Sequence, residues 1–145
     1  MLSRQASHAL KALLELAGNP QQWRSTQQLA TSQQLPEPML EQLLLRLRRA
    51  GLLQARRGRH GGYRLAEPAA AISLAAVLAG LGESSGDGGK GELSGTPADQ
   101  VTAALQRRLE RAREQALAAL SLEDLLFDLR SAEASADSGA GLLLG

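Results

Sequence analysis

With 145 residues, an apolar share of 43% and a single Trp, Tyr and Phe, the chain suits one domain whose core is built from Leu, Ala, Val and Ile at helical spacing. The absence of cysteine excludes disulfides, zinc–thiolate centres and thiolate-held iron–sulfur clusters, and no apolar run approaches the roughly 18 residues of a membrane span, so a soluble cytoplasmic protein is expected. The net charge of +1 hides a polarity: residues 1–66 carry ten basic side chains against three acidic, and the remainder carries six against twelve, which points the first half towards a polyanion.

Ser3 is a natural N-cap for a first helix to Ala17, because Ala6, Ala9, Leu10, Leu13, Leu16 and Ala17 recur on one face. The sequence "GNP" ends it. Ser25 and Gln28 have capping-box spacing and open a short second helix, with Leu29 and Ala30 inward. "QLPEP" forms a tight connection, and Pro38 fits the first turn of a third helix carrying Leu40, Leu43, Leu44 and Leu47 on one face. Gly51 closes that helix. The stretch "LLQARRGRHGGYRLAEP" reads as two short strands around a Gly- and Arg-rich tip. A fourth helix is expected over Ser73–Leu81, with Leu74, Val77, Leu78 and Leu81 buried.

A glycine-rich segment, Gly82–Gly95, follows and has the composition of a flexible connector. It fails as a phosphate loop: Ser84 stands where the first glycine belongs, and Gly91 replaces the Ser or Thr required after Lys90. Thr96, Pro97 and Asp99 then open a long helix, and Val101, Leu105, Leu109, Ala112, Ala116 and Leu120 form a stripe along it. Ser121 and Asp124 restart the chain in a last short helix to about Arg130, and a fraying tail is expected beyond.

Three helices followed by a two-stranded hairpin with a cationic tip define a mainly α, winged helix-turn-helix architecture, followed by a connecting helix and a long dimerisation helix. The expected division is a DNA-binding domain at 1–68, the connecting helix at 69–81, the loop at 82–95, the dimerisation and terminal helices at 96–130 and the tail at 131–145. Double-stranded DNA is the expected partner, since Lys and Arg release counterions from its phosphates. Glu37, Met39, Glu41 and Gln42 start the third helix, where Gln pairs with adenine and Glu accepts from cytosine. Arg46 and Arg49 lie further along and suit phosphates. Arg56, Arg57, Arg59, His60 and Tyr63 belong to the wing, and its arginines and histidine would repel one another without a polyanion. Arg4 and the helix-opening Ser25, Thr26 and Gln27 complete the candidate phosphate contacts. No catalytic constellation, metal site or cofactor motif emerges, so an enzyme is not expected.

The run from Met39 to Leu81, with "LEQLL", "LRRAGLL", the wing "RG..GGYRLA.P" and "ISL..VL", resembles the IscR/NsrR-type (Rrf-two) winged helix-turn-helix transcriptional regulators. "ALKALLELA" near the start and "LEDLL" near the end extend the resemblance to roughly residues 2–130. It implies a homodimer that pairs the long helix with its twin and reads a partly palindromic operator, most simply as a repressor. Two departures stand out. His8 occupies a common aromatic position, and the three cysteines that hold an iron–sulfur cluster in well-studied members are missing from Gly82–Gly95. Cluster sensing is therefore not carried over. A winged-helix protein-interaction module and a regulator gated by a small molecule or partner protein stay open as alternatives.

Overall fold

The computed structural model describes residues 2–83 and 95–144, with side chains through Asp137. The glycine-rich connector expected over Gly82–Gly95 lies almost wholly outside the described residues. Helix α1 runs Arg4–Gly18, and the Ser3 hydroxyl accepts the Ala6 N–H at 3.0 Å. Helix α2 spans Thr26–Gln33 behind a complete Ser25–Gln28 capping box, and α3 spans Glu37–Arg49 with Pro38 in its first turn. Strands β1, Leu53–Arg56, and β2, Gly62–Leu65, pair antiparallel with Leu53 opposite Leu65 and Arg56 opposite Gly62. A single 3-10 turn at Ala69–Ala71 leads to α4, Leu74–Gly80, capped by Ser73. Helix α5, Pro97–Ala119, starts from a Thr96–Asp99 capping box.

The two turns around the helix-turn-helix close in the same way. At the end of α3, the Gly51 N–H reaches the Arg48 carbonyl at 2.9 Å and the Leu52 N–H reaches the Leu47 carbonyl at 3.0 Å, with Gly51 at φ +82°. The α2–α3 turn repeats these bonds from Gln34 to Thr31 and from Leu35 to Ala30, with Gln34 taking the left-handed role at φ 56°. A glutamine accepts there a conformation that usually goes to glycine, at a cost of about 1–2 kcal/mol.

The core is one cluster. Leu13, Leu16, Leu29, Leu40, Leu43, Leu44, Leu47, Ile72, Val77 and Leu122 are its largest fully buried side chains. Leu122 and Leu126 also belong to it. After α5 the polypeptide returns: the Leu122 N–H bonds the Ile72 carbonyl at 2.9 Å and the Leu74 N–H bonds the Leu120 carbonyl at 2.8 Å. The start of the last helix, α6, therefore packs into the same core as α1–α4.

Helix α6 also extends from Leu122 to Leu144, well past the expected end near Arg130. Residues 131–138 contain Ala, Glu, Ser and Asp with no proline, so nothing in them stops a helix already nucleated by the Ser121–Asp124 box.

Candidate nucleic-acid interface

On α3 the leucines face the core, and Gln42, Arg46 and Arg49 emerge at four- and three-residue spacing along one exposed face. Glu37 is exposed at the start of the helix, whereas Met39 is half-buried and packs on the core.

Glu41 is exposed and carries two intramolecular bonds. The Thr26 hydroxyl donates to its Oε2, and the Tyr63 phenol donates to its Oε1 at 3.3 Å. Thr26 and Tyr63 are buried. One carboxylate thus ties the start of α2, the first half of α3 and strand β2 together. These bonds give the Thr26 hydroxyl and the Tyr63 phenol partners within the fold. Burial first, then the charge and hydrogen bond of Glu41, push the Tyr63 phenol above its ordinary 10.0, and Arg48 pulls the other way.

At the start of α2 the Ser25 hydroxyl accepts the Gln28 N–H at 3.1 Å, and the Gln28 side chain accepts the Ser25 N–H at 2.9 Å. Thr26 and Gln27 occupy the first turn, where N–H groups have no carbonyl four residues back. They remain available to a phosphate through the main chain, and the Gln27 side chain is exposed, as is Arg4 at the start of α1.

The wing is held against this unit by backbone. Arg24, in the α1–α2 connection, donates its N–H to the Tyr63 carbonyl at 3.0 Å and accepts the Tyr63 N–H at 2.7 Å. Gly62 allows the approach: a Cβ there would sit 2.4 Å from the Arg24 carbonyl, and its φ is +145°. Beyond it, Arg57, Arg59 and His60 are exposed at the tip, and Arg56 donates to the His60 carbonyl at 2.8 Å. Trp23 has a place in the wing that its local sequence does not signal. Its ring, one residue before Arg24, lies 4.8 Å from the Arg56 guanidinium and 4.3 Å from that of Arg64. Only strand register reveals this, because Arg24 opposite Tyr63 sets Trp23 beside Arg64.

The proposed seam residues Val101, Leu105, Leu109, Ala112, Ala116 and Leu120 are all exposed on the outer face of α5, while Leu117 on the other face is half-buried against the core. Between α4 and α5 lies a cavity of about 320 Å³, and Ala75, Leu78, Ala79, Arg113, Leu117 and Ala118 are among the residues that line it.

A buried three-helix core, a helix presenting polar residues outward and a cationic two-stranded wing define a winged helix-turn-helix DNA-binding protein. The chain belongs to the Rrf2 family, whose model, described as an iron-dependent transcriptional regulator, matches residues 2–128. It is 37% identical over 145 residues to the HTH-type transcriptional regulator slr0846 of Synechocystis sp., covering 99% of both chains. It is also 37% identical over 111 residues to the HTH-type transcriptional regulator IscR of Cereibacter sphaeroides, covering 70% of each. Among solved structures it resembles T. potens IscR, with a TM-score of 0.75 and 28% identity over 91% of this chain and 90% of that one. The global cysteine regulator CymR of B. subtilis matches with a TM-score of 0.72 and 27% identity, over 87% and 95%. The protein is accordingly a DNA-binding transcription regulator and not an enzyme.

The iron in the family description has no thiolate to hold it here, since the chain contains no cysteine. Among the described residues no three His, Asp or Glu side chains converge as a metal site. The donor set does not fit a cysteine-held cluster. Among the described residues no helix is long and apolar enough to cross a membrane.

Proposed function

We propose that the protein is a homodimeric, cytoplasmic repressor that reads a partly palindromic operator without an iron–sulfur cluster. The observation that carries this is the exposed row Gln42, Arg46 and Arg49 on α3 together with the exposed tip Arg57, Arg59 and His60. Gln42 reads a base edge, Arg46 and Arg49 meet phosphates, and the tip lies against the backbone or minor groove. Arg4 and the first turn of α2 add phosphate contacts. The exposed apolar stripe on α5 supports pairing with a second copy, which sets two reading units about one helical turn apart.

Selection of bound duplexes from a random pool tests the proposal. The expected product is a sequence with two related half-sites about 10 base pairs apart, bound by two chains. Recovery of a single half-site bound by one chain would refute the dimeric reading. A promoter reporter carrying the selected operator should be silenced by the intact protein and released by its loss.

The cavity between α4 and α5 favours a second reading, gating by a small ligand, because its ≈ 320 Å³ falls at the lower end of ligand-sized pockets. A compound that raises the melting temperature and changes operator affinity, with both effects lost in Leu78→Trp, would support it. Retention of both effects in that variant would place the ligand elsewhere.

A further inference from the structure

We infer that Trp23 is a positioning residue of the wing, fixing the cationic tip through Arg56 rather than touching DNA itself. The inference rests on the reading above that the wing meets DNA. Two strands of four residues are marginal as a free hairpin. One face is secured by Leu53, Tyr63 and Leu65, which are buried. The other carries Gln54, Arg56 and Arg64, side chains that would ordinarily wander in water.

Here they do not wander, because each has a partner. Arg64 sits over the indole at 4.3 Å and donates through Nε to the Gln54 side-chain Oε1 at 3.2 Å. Arg56 sits over the same indole at 4.8 Å, and its guanidinium donates to the His60 main-chain carbonyl at 2.8 Å. The ring therefore holds Arg56, and Arg56 holds the backbone at the far side of the tip. Arg57 and Arg59 lie between these two anchor points. Their side chains are exposed, but the loop that carries them is fixed at both ends.

Indole is the aromatic ring with the strongest attraction for a cation. Two guanidiniums on one ring also hold like charges near each other, an arrangement that phosphate binding at the tip relieves. Trp23 itself is half-buried beneath the strands, and it follows that its effect on DNA passes through the arginines.

The test compares Trp23→Ala, Trp23→Tyr, Arg56→Ala and Arg59→Ala in the full chain, by operator titration across a salt series. Trp23→Ala should weaken binding about 5- to 30-fold, the equivalent of two partly exposed cation–π contacts. Its salt dependence should flatten by about one phosphate contact, since a wandering tip loses one. Trp23→Tyr should restore most of both, and Trp23→Ala should add less than about threefold in an Arg56→Ala background, because the two act in series. A merely structural role would lower the melting temperature and the active fraction while leaving the salt slope of the folded protein unchanged, and that result would overturn the inference. Arg59→Ala separates the two levels. If it leaves affinity intact, the wing does not meet DNA and the parent reading fails; if it weakens binding while Trp23→Ala does not, only the positioning role fails.

Discussion

Leu109 is the most direct probe of the proposed dimer. It is 62% exposed on α5, between Leu105 at 55% and Ala112, and it faces away from the chain's own core. Leu109→Ala removes three carbon groups, worth about 0.8 kcal/mol each when fully buried, so about 1.5 kcal/mol at this exposure if the partner covers what the chain leaves open. A two-fold interface carries the change twice, which gives about 3 kcal/mol and raises the dimer dissociation constant roughly 150-fold. Alanine is the better helix former, so melting of α5 does not explain a loss. Sedimentation over a concentration series measures the constant, with circular dichroism as the check on helix content. Leu117→Ala is the control: half-buried on the opposite face, it should lower the stability of the chain more than it affects pairing. A dissociation constant for Leu109→Ala within threefold of the parent would refute the assignment of this face to a second copy.

Other outcomes follow from the same geometry. Gln42→Ala should cost about 1–3 kcal/mol at one base pair and relax specificity there, read by competition among single-base operator variants; equal weakening on random duplexes would remove its base-reading role. Arg57→Ala should weaken binding across sequences, reduce the salt slope by about one and soften any A·T preference beneath the wing. Gly62→Ala should destabilise the fold by about 1–3 kcal/mol in denaturant titration, because the new Cβ meets the Arg24 carbonyl at 2.4 Å in a backbone conformation at φ +145°. The Tyr63 phenol, held above 10.0 by burial first and by Glu41 second, stabilises the folded state while neutral. That contribution is complete below pH 10.0 and disappears as pH rises through the higher folded value. Tyrosinate absorbance reports it cleanly because the chain has one Tyr, and Glu41→Gln should bring the titration only part of the way down.

What was legible in the sequence was local. Ser3, the Ser25–Gln28 and Thr96–Asp99 boxes, and the order of helices and wing depend on residues within four positions of one another, and they lie where spacing placed them. The stripe on α5 was legible for the same reason, since helical periodicity fixes its face. The candidate interface was legible as a cationic, polar region but not residue by residue. Glu41 and Thr26 lie 15 positions apart, and Tyr63 lies 22 from Glu41, so nothing short of the folded packing shows that these three consume one another. Gln34 gave no warning of its left-handed turn, because glutamine has no preference for one. The helical course of residues 131–144 was hidden by Ser, Asp and Gly, which read as a tail until the preceding helix is seen to continue.

The stack beneath the wing also gives the molecule an optical property. Its sole indole lies within 5 Å of two cationic groups, and an indole excited state is sensitive to the electric field around it. A phosphate arriving at the neighbouring tip compensates part of that field. Unlabelled protein therefore carries its own emitter beside the cationic tip, and a shift in its emission on adding operator duplex is the expected sign of the proposed wing contact.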